Sequence, residues 1–209
     1  MNNSIYPCLT LKGQVAEAAD FYLKTFGEGS ILHTSPFVVQ IQLSGQKFML
    51  LNDGPTSRPN ASISFMVVIE EEQQVENYWK SLTEGGEILM ALGAYEWSRK
   101  YGWVQDKYGV SWQLYFSDNN SGLQKYSPTL MFSGDKAGRA AEAVRFYTTI
   151  FPKSSITGIM NYAEGDGDKT TFVKHAQYVL NDYVLMAMDS SGEQGATFND
   201  AIFFVVECD

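Results

Sequence analysis

Apolar and polar positions alternate over residues 5–11, and then the period lengthens. Val15, Ala18, Ala19, Tyr22, Leu23 and Phe26 fall on one stripe, which predicts an amphipathic helix over 15–26. Alternation returns over 30–34, 37–43 and 46–52, with Ser35-Pro36 and Ser44-Gly45-Gln46 as the breaks. The pattern is a β-α-β-β-β unit. A second unit of the same order follows, with a strand over 62–69, a helix over 71–84 and strands near 88–92, 101–105 and 110–116. Its helix is opened by Glu70-Glu71-Glu72 and closed by Gly85-Gly86, the charges and the glycine that helix ends favour. After a polar linker at 117–127, a third unit has a strand over 128–132, a helix over 138–150 and strands near 155–162, 170–180 and 183–188. A last strand-like run covers 202–207.

The chain repeats itself. Ala16-Glu17-Ala18-Ala19-Asp20-Phe21-Tyr22 recurs as Ala141-Glu142-Ala143-Val144-Arg145-Phe146-Tyr147, each copy preceded by a strand that begins Pro-x-Leu, at Pro7 and at Pro128. Further on, Asn60-Ala61-Ser62-Ile63-Ser64-Phe65 parallels Asn199-Asp200-Ala201-Ile202-Phe203-Phe204. Matches in the same order mark a tandem duplication. The expected division is a complete two-unit domain at 1–116, the linker at 117–127, and an incomplete second domain at 128–209.

Composition narrows the function classes. The chain carries 24 acidic against 15 basic residues, a formal charge of −9, which disfavours a phosphate backbone as partner, so no nucleic acid is expected. No run approaches the roughly 18 apolar residues of a membrane helix, so no membrane partner is expected either. The first residues, Met1 to Ile5, carry no basic region and no apolar stretch, and the expectation is a chain without a signal peptide. Two cysteines, Cys8 and Cys208, exclude a disulfide framework and suit a reducing cytoplasm, the expected location.

Two β-α-β-β-β units per domain resemble the vicinal oxygen chelate superfamily, which includes glyoxalase I, bleomycin-resistance proteins and extradiol dioxygenases. The local motifs resemble its PhnB-like branch, often labelled demethylubiquinone methyltransferase-like. They are Pro7-Cys8-Leu9, Ala16 to Tyr22, Asn52-Asp53-Gly54-Pro55, Asn60 to Phe65 and, most specific, Gly102-Trp103-Val104-Gln105-Asp106-Lys107-Tyr108-Gly109-Val110-Ser111-Trp112-Gln113. The resemblance covers 5–116 fully and 128–207 in part. It implies an α+β fold of tandem β-α-β-β-β units in curved mixed sheets, with the second domain incomplete. It also implies a cleft that holds a divalent metal or an apolar ligand, metal-binding members placing His or Glu on the first and last strands of a unit.

Strand parity tests this chain against that pattern. Trp112, Leu114 and Phe116 form one apolar face, leaving Ser111, Gln113 and Tyr115 toward the cleft. Ile63, Phe65, Val67 and Ile69 leave Ser62, Ser64 and Met66 inward, and Ile5, Pro7, Leu9 and Leu11 leave Tyr6, Cys8 and Thr10. With Asn52 at the rim by resemblance, and Trp103 from an aromatic crowd of Tyr95, Trp97, Tyr101, Trp103 and Tyr108, the expected cleft is Tyr6, Cys8, Thr10, Asn52, Ser64, Trp103 and Gln113. It has no imidazole and no carboxylate, so neither a metal nor another cofactor is expected. His33 and His175 lie at non-equivalent positions, Cys8 has no base to activate it, and the hairpin tip 163–169 lacks the spacing of a calcium loop.

The expected function is metal-free binding of a small apolar or planar molecule. The alternative is a small-molecule enzyme of the superfamily: a metal-dependent lyase, isomerase or dioxygenase, or a methyltransferase. The methyltransferase lacks its glycine-rich nucleotide loop. No catalytic residue is assigned. Finally, the incomplete second domain would leave an open half-sheet with an unpaired edge and an apolar face that includes Tyr178, Val179, Val184, Met186 and Met188. Either this is a shortened version of a longer protein, with the second module partly disordered or packed on the first, or two chains combine their third units across a two-fold axis, and the homodimer is the expected outcome.

Overall fold

The computed structural model describes residues 4–52, 58–118, 124–192 and 196–208. The first unit is β1 (Ile5–Thr10), α1 (Val15–Phe26), β2 (Gly29–Thr34), β3 (Val38–Leu43) and β4 (Gln46–Leu51). The second is β5 (Ile63–Ile69), α2 (Glu72–Thr83), β6 (Glu87–Tyr95), β7 (Ser98–Gln105) and β8 (Ser111–Phe116). The third is β9 (Tyr126–Phe132), α3 (Ala140–Ile150), β10 (Ser155–Asn161), β11 (Val173–Leu180) and β12 (Tyr183–Asp189), and β13 (Ile202–Val206) follows. The α+β class and the tandem units stand as the hydrophobic pattern predicts. Of the expected features, Asp53-Gly54-Pro55 and residues 119–123 of the linker lie outside the described residues.

Helix α1 stops at Gly27, whose φ of 75° puts it in the left-handed region while its N–H bonds the Leu23 carbonyl. The β6–β7 hairpin is longer than the sequence predicts. Register shifts between Ile88 and Met90, Met90 and Gly93, and Gly93 and Tyr95 interrupt the two-residue period that marks a strand.

Within each unit the first strand pairs in parallel with the last: β1 with β4, β5 with β8, β9 with β12. Between units the first strands pair antiparallel, and here the structure departs from the expected domain division. Strand β9 pairs with β5, and β1 pairs with β13. The second and third units therefore share an eight-stranded sheet, ordered β10-β11-β12-β9-β5-β8-β7-β6. The first unit and β13 make a five-stranded sheet, ordered β13-β1-β4-β3-β2. Residues 1–116 do not close on themselves. The physical reason is equivalence: the duplicated first strands present the same edge, and parity fixes which face a side chain takes but not which copy lies alongside.

The ground for a dimer through the third units changes with it. Strand β9 has both edges filled within the chain, by β12 and β5. Tyr178 is buried in a core beside α3, and Met188 packs with residues of the second unit.

One core joins the helix-bearing faces of the two sheets, with Leu9, Tyr22, Phe26, Ile41 and Phe48 from the first unit and Phe65, Val75, Trp112 and Leu114 from the second. Tyr22, Phe26 and Phe65 pack their rings on Trp112 with centroids 4.9–5.4 Å away. The third unit has its own core, anchored by a buried carboxylate at the end of β12. Asp189 accepts hydrogen bonds from the N–H groups of Gly138 (2.8 Å) and Ala140 (3.1 Å) at the start of α3, and of Val173 (2.9 Å) on β11. Asp189→Ala leaves three backbone donors without their acceptor, two of them buried, and is expected to cost about 3 kcal/mol, read as a lower urea midpoint with an unchanged m-value.

Among the described residues, no helix is long and apolar enough to cross a membrane.

Candidate functional site

The face of the eight-stranded sheet turned away from the helices gathers the chain's polar and aromatic cleft residues. Alternation puts Ser64 and Met66 there from β5, Ser111, Gln113 and Tyr115 from β8, and Tyr101 and Trp103 from β7. It adds Thr129 and Met131 from β9 and Met188 from β12. Register brings them side by side, with Ser64 opposite both Ser111 and Thr129, and Trp103 opposite Gln113. Trp112 takes the opposite face from Gln113, as parity predicts, and is buried in the main core.

A short hydrogen-bond chain crosses the floor. The Tyr101 hydroxyl donates to Gln113 Oε1 at 2.7 Å, and Gln113 Nε2 donates to Ser64 Oγ at 2.7 Å. Beside it, Trp103 Nε1 donates to Ser111 Oγ at 2.7 Å. Burial pushes the Tyr101 phenol well above its ordinary value, so it stays a donor. Thr129 Oγ1, also buried, has no hydrogen-bond partner among the described residues. A buried hydroxyl without a partner is costly, and this one has its hydrogen-bonding capacity unused among the described residues.

The wall is soft and apolar. Met66, Met131 and Met188 pack with Tyr101, Trp103, Leu89, Met90, Tyr95 and Tyr115 over the floor, and Ala61 and Ala196 join them. At the rim Trp97 stacks on Tyr95 with centroids 5.1 Å apart, both rings stand edge-on to Tyr101, and Trp97 is 48% exposed. The floor residues Ser64, Tyr101, Trp103 and Gln113 are almost wholly buried. The face is thus closed down by its own thioethers and rings, and unbranched methionine is the side chain that yields most readily to a guest.

Of the expected cleft, Ser64, Trp103 and Gln113 meet on this face. Tyr6, Cys8, Thr10 and Asn52 do not join them, because β1 and β4 belong to the other sheet. Tyr6 donates to Glu207 Oε1 at 2.9 Å beneath Lys47, whose Nζ lies 4.5 Å from its ring centre, and burial with Glu207 raises its pKa to about 12. Burial likewise pushes the Cys8 thiol up to about 12, which makes it a poor nucleophile. Thr10 Oγ1 donates to the Ala201 carbonyl at 2.9 Å, and Asn52 Nδ2 to that of Pro36 at 3.0 Å. The sequence reading missed Thr129, Met131 and Met188. The parity of 126–132, with Pro128, Leu130 and Phe132 on one face, would have found the first two had the third unit been paired with the second. Tyr108 leaves the aromatic crowd: its ring packs on Phe21 and Tyr22 of α1.

The family model for 3-demethylubiquinone-9 3-methyltransferase matches residues 3–115 and 124–209. The chain belongs to this family. A putative 3-demethylubiquinone-9 3-methyltransferase, PhnB protein, from Bacillus cereus is 31% identical over 53% of this chain and 96% of its own, with a TM-score of 0.50. Glyoxalase I from Zea mays is 13% identical over 90% of this chain and 67% of its own at a TM-score of 0.62, and its V278E mutant reaches 0.64 over the same shares. That likeness is one of fold, and with the PhnB-like family it puts the chain in the vicinal oxygen chelate superfamily. No curated protein matches the chain.

Superfamily membership raises the question of a divalent metal, and the PhnB-like chain answers it by donor chemistry. The first and last strands of the second and third units offer Ser64, Gln113, Thr129 and Met188. They supply hydroxyl, amide and thioether but no imidazole or carboxylate, and Ser64 and Gln113 already bond each other. Among the described residues no three His, Cys, Asp or Glu side chains come together. His33 is on exposed β2, and His175 is on β11 with its pKa lowered by burial. This donor set does not fit a catalytic zinc, nickel, manganese or iron. Of the three strand-to-helix connections, Leu11-Lys12-Gly13-Gln14 holds one glycine, Glu70-Glu71 holds none, and Ser133 to Arg139 holds two, Gly134 and Gly138, so none has the three-glycine spacing of a nucleotide loop.

Proposed function

We propose that this PhnB-like chain binds a small apolar or planar molecule on the helix-free face of the eight-stranded sheet, between its second and third units, without a catalytic metal. The observation that carries the reading is the unpartnered Thr129 hydroxyl opposite Ser64. It sits beside the Tyr101–Gln113–Ser64 chain in a wall of methionines and rings. Apolar surround with a few fixed polar atoms is the make-up of a small-molecule site. The guest enters past the Trp97–Tyr95 stack, displaces the thioethers of Met66, Met131 and Met188, and offers one acceptor or donor to Thr129. A flat ring system suits the stack, since its faces can pair with Trp97 or Tyr101.

Nile red, an uncharged planar dye, is the probe. The wild type is expected to take it up saturably at one dye per chain with quenching of tryptophan fluorescence. Met188→Trp, whose added bulk fills the face beside Met131, is expected to weaken uptake about tenfold while lowering the Tm only modestly. Uptake indifferent to Met188→Trp would contradict the reading. The exposed rings of α3 are a competing dye site, so Phe146→Ser serves as the control, and uptake lost only in that variant contradicts the reading as well.

A further inference from the structure

The hydrogen bonds on the floor of the eight-stranded sheet leave hydrogens over. Tyr101 donates to Gln113 and Gln113 to Ser64, so the chain ends on the Ser64 oxygen, and the Ser64 hydroxyl hydrogen meets no acceptor among the described residues. Trp103 ends in the same way on Ser111, whose own hydrogen is also unspent there. Thr129 neither gives nor takes a hydrogen bond, and Gln113 keeps a second N–H. Turning the Gln113 amide over would pass the spare hydrogen from Ser64 to Tyr101 and leave the balance unchanged.

The spare hydrogens are lined up. Thr129, Ser64 and Ser111 are register partners on the adjacent strands β9, β5 and β8, so their side chains form one row across the floor. Thr129 is 4% exposed and Ser64 is 1% exposed, and the two make no bond to each other. Neighbouring strands lie about 4.8 Å apart, and an oxygen accepting from two hydroxyls at about 2.8 Å each fits between such neighbours. The floor residues supply hydroxyl, phenol, indole and amide groups, and none of them is charged.

We propose that the molecule bound on this face is an uncharged carbonyl compound, its oxygen seated between the Thr129 and Ser64 hydroxyls and accepting from both. This rests on the ligand face proposed above. A carbonyl oxygen has two lone pairs and no hydrogen, so it takes up two spare donors and adds none. A phenol or an amine brings a further hydrogen to a floor already in excess. Accepting that hydrogen uses a lone pair of Thr129 or Ser64, while a hydroxyl hydrogen stays buried and unmet at the cost of its desolvation. A carboxylate would meet the donors but would bury its charge with no cation on the floor.

Fluorene and 9-fluorenone, flat tricycles that differ by one carbonyl oxygen, test this as competitors of Nile red. Thr129→Val keeps the branched shape and removes the hydroxyl. The wild-type preference for fluorenone, taken as the ratio of the two dissociation constants, is expected to fall about tenfold in Thr129→Val. The Tm of that variant without ligand should be unchanged or higher, because no hydrogen bond is lost. The carbonyl stretch of bound fluorenone should lie at lower frequency in the wild type than in the variant. If Nile red binds but fluorenone does not displace it, or if either the ratio or the stretch is the same in both proteins, the ligand face stands and the carbonyl is overturned. A Tm lowered by several degrees overturns it too, since the hydroxyl would then be satisfied within the fold. Nile red that does not bind at all removes the face, and the carbonyl with it.

Discussion

Replacing Asp106 by alanine is expected to cost about 4 kcal/mol of unfolding free energy at neutral pH, enough to remove much of the stability of a domain this size. The residue sits in the turn before β8, in a sequence that reads as an ordinary hairpin, yet it is a buried hub. Its carboxylate accepts from the Tyr22 hydroxyl (2.9 Å), Trp112 Nε1 (2.8 Å), Tyr108 N–H (2.9 Å) and Val110 N–H (3.0 Å). Alanine leaves four donors inside the joint between the first and second units, and a buried donor without a partner loses its hydration for nothing. Burial pushes this carboxyl from 3.8 up to about 6, against the pull of the four donors. The folded state therefore holds the proton more tightly than the unfolded one, and protonation favours folding. Stability from this group is full below about pH 4 and is lost as pH rises through about 6. A rise of that size in the folded state corresponds to about 3 kcal/mol. Asp106→Asn should abolish that slope, so urea titrations of both proteins from about pH 4 to about pH 7 give the test. A wild-type curve parallel to that of Asp106→Asn would contradict it.

Trp112→Ala is expected to cost about 3–5 kcal/mol. The ring is the largest of the fully buried side chains, wedged between Tyr22, Phe26 and Phe65, and its indole N–H is one of the four donors to Asp106. Because the two residues share that bond, Asp106→Ala and Trp112→Ala should not add: the double variant is expected to fall short of the sum by about 1 kcal/mol or more. Strict additivity in a double-mutant cycle would show that the hub and the aromatic wedge act separately.

Local pattern carries far in this chain, and stops at a definable point. The duplication, the β-α-β-β-β order and the opposite faces of Trp112 and Gln113 all follow from periods of 2 and 3.6 residues, which a sequence displays directly. Ser64, Trp103 and Gln113 are legible as a group because β5, β7 and β8 lie in one unit. Tyr6, Cys8 and Thr10 have neighbours that parity does not reveal, since β1 meets β13, a strand almost two hundred residues away, and not β5. Thr129 stays hidden for the same reason: its place in the site depends on β9 lying against β5. Asp106 reads as a turn residue because its partner Tyr22 is 84 positions distant. Copies of one unit offer the same edges, so the choice among them rests on which faces bury together, and no periodicity records that.

The central claim is a metal-free ligand face between the second and third units. Native mass spectrometry of the purified full chain, paired with elemental analysis of the same sample, tests it most directly. The account predicts less than about 0.1 equivalent of zinc, nickel, manganese or iron per chain, from the weakness of hydroxyl, amide and thioether donors for such ions. It also predicts an organic adduct of small mass that Met188→Trp removes. Stoichiometric metal retained by the wild type and lost on Gln113→Leu would contradict it, and would return the chain to the metal enzymes of its superfamily.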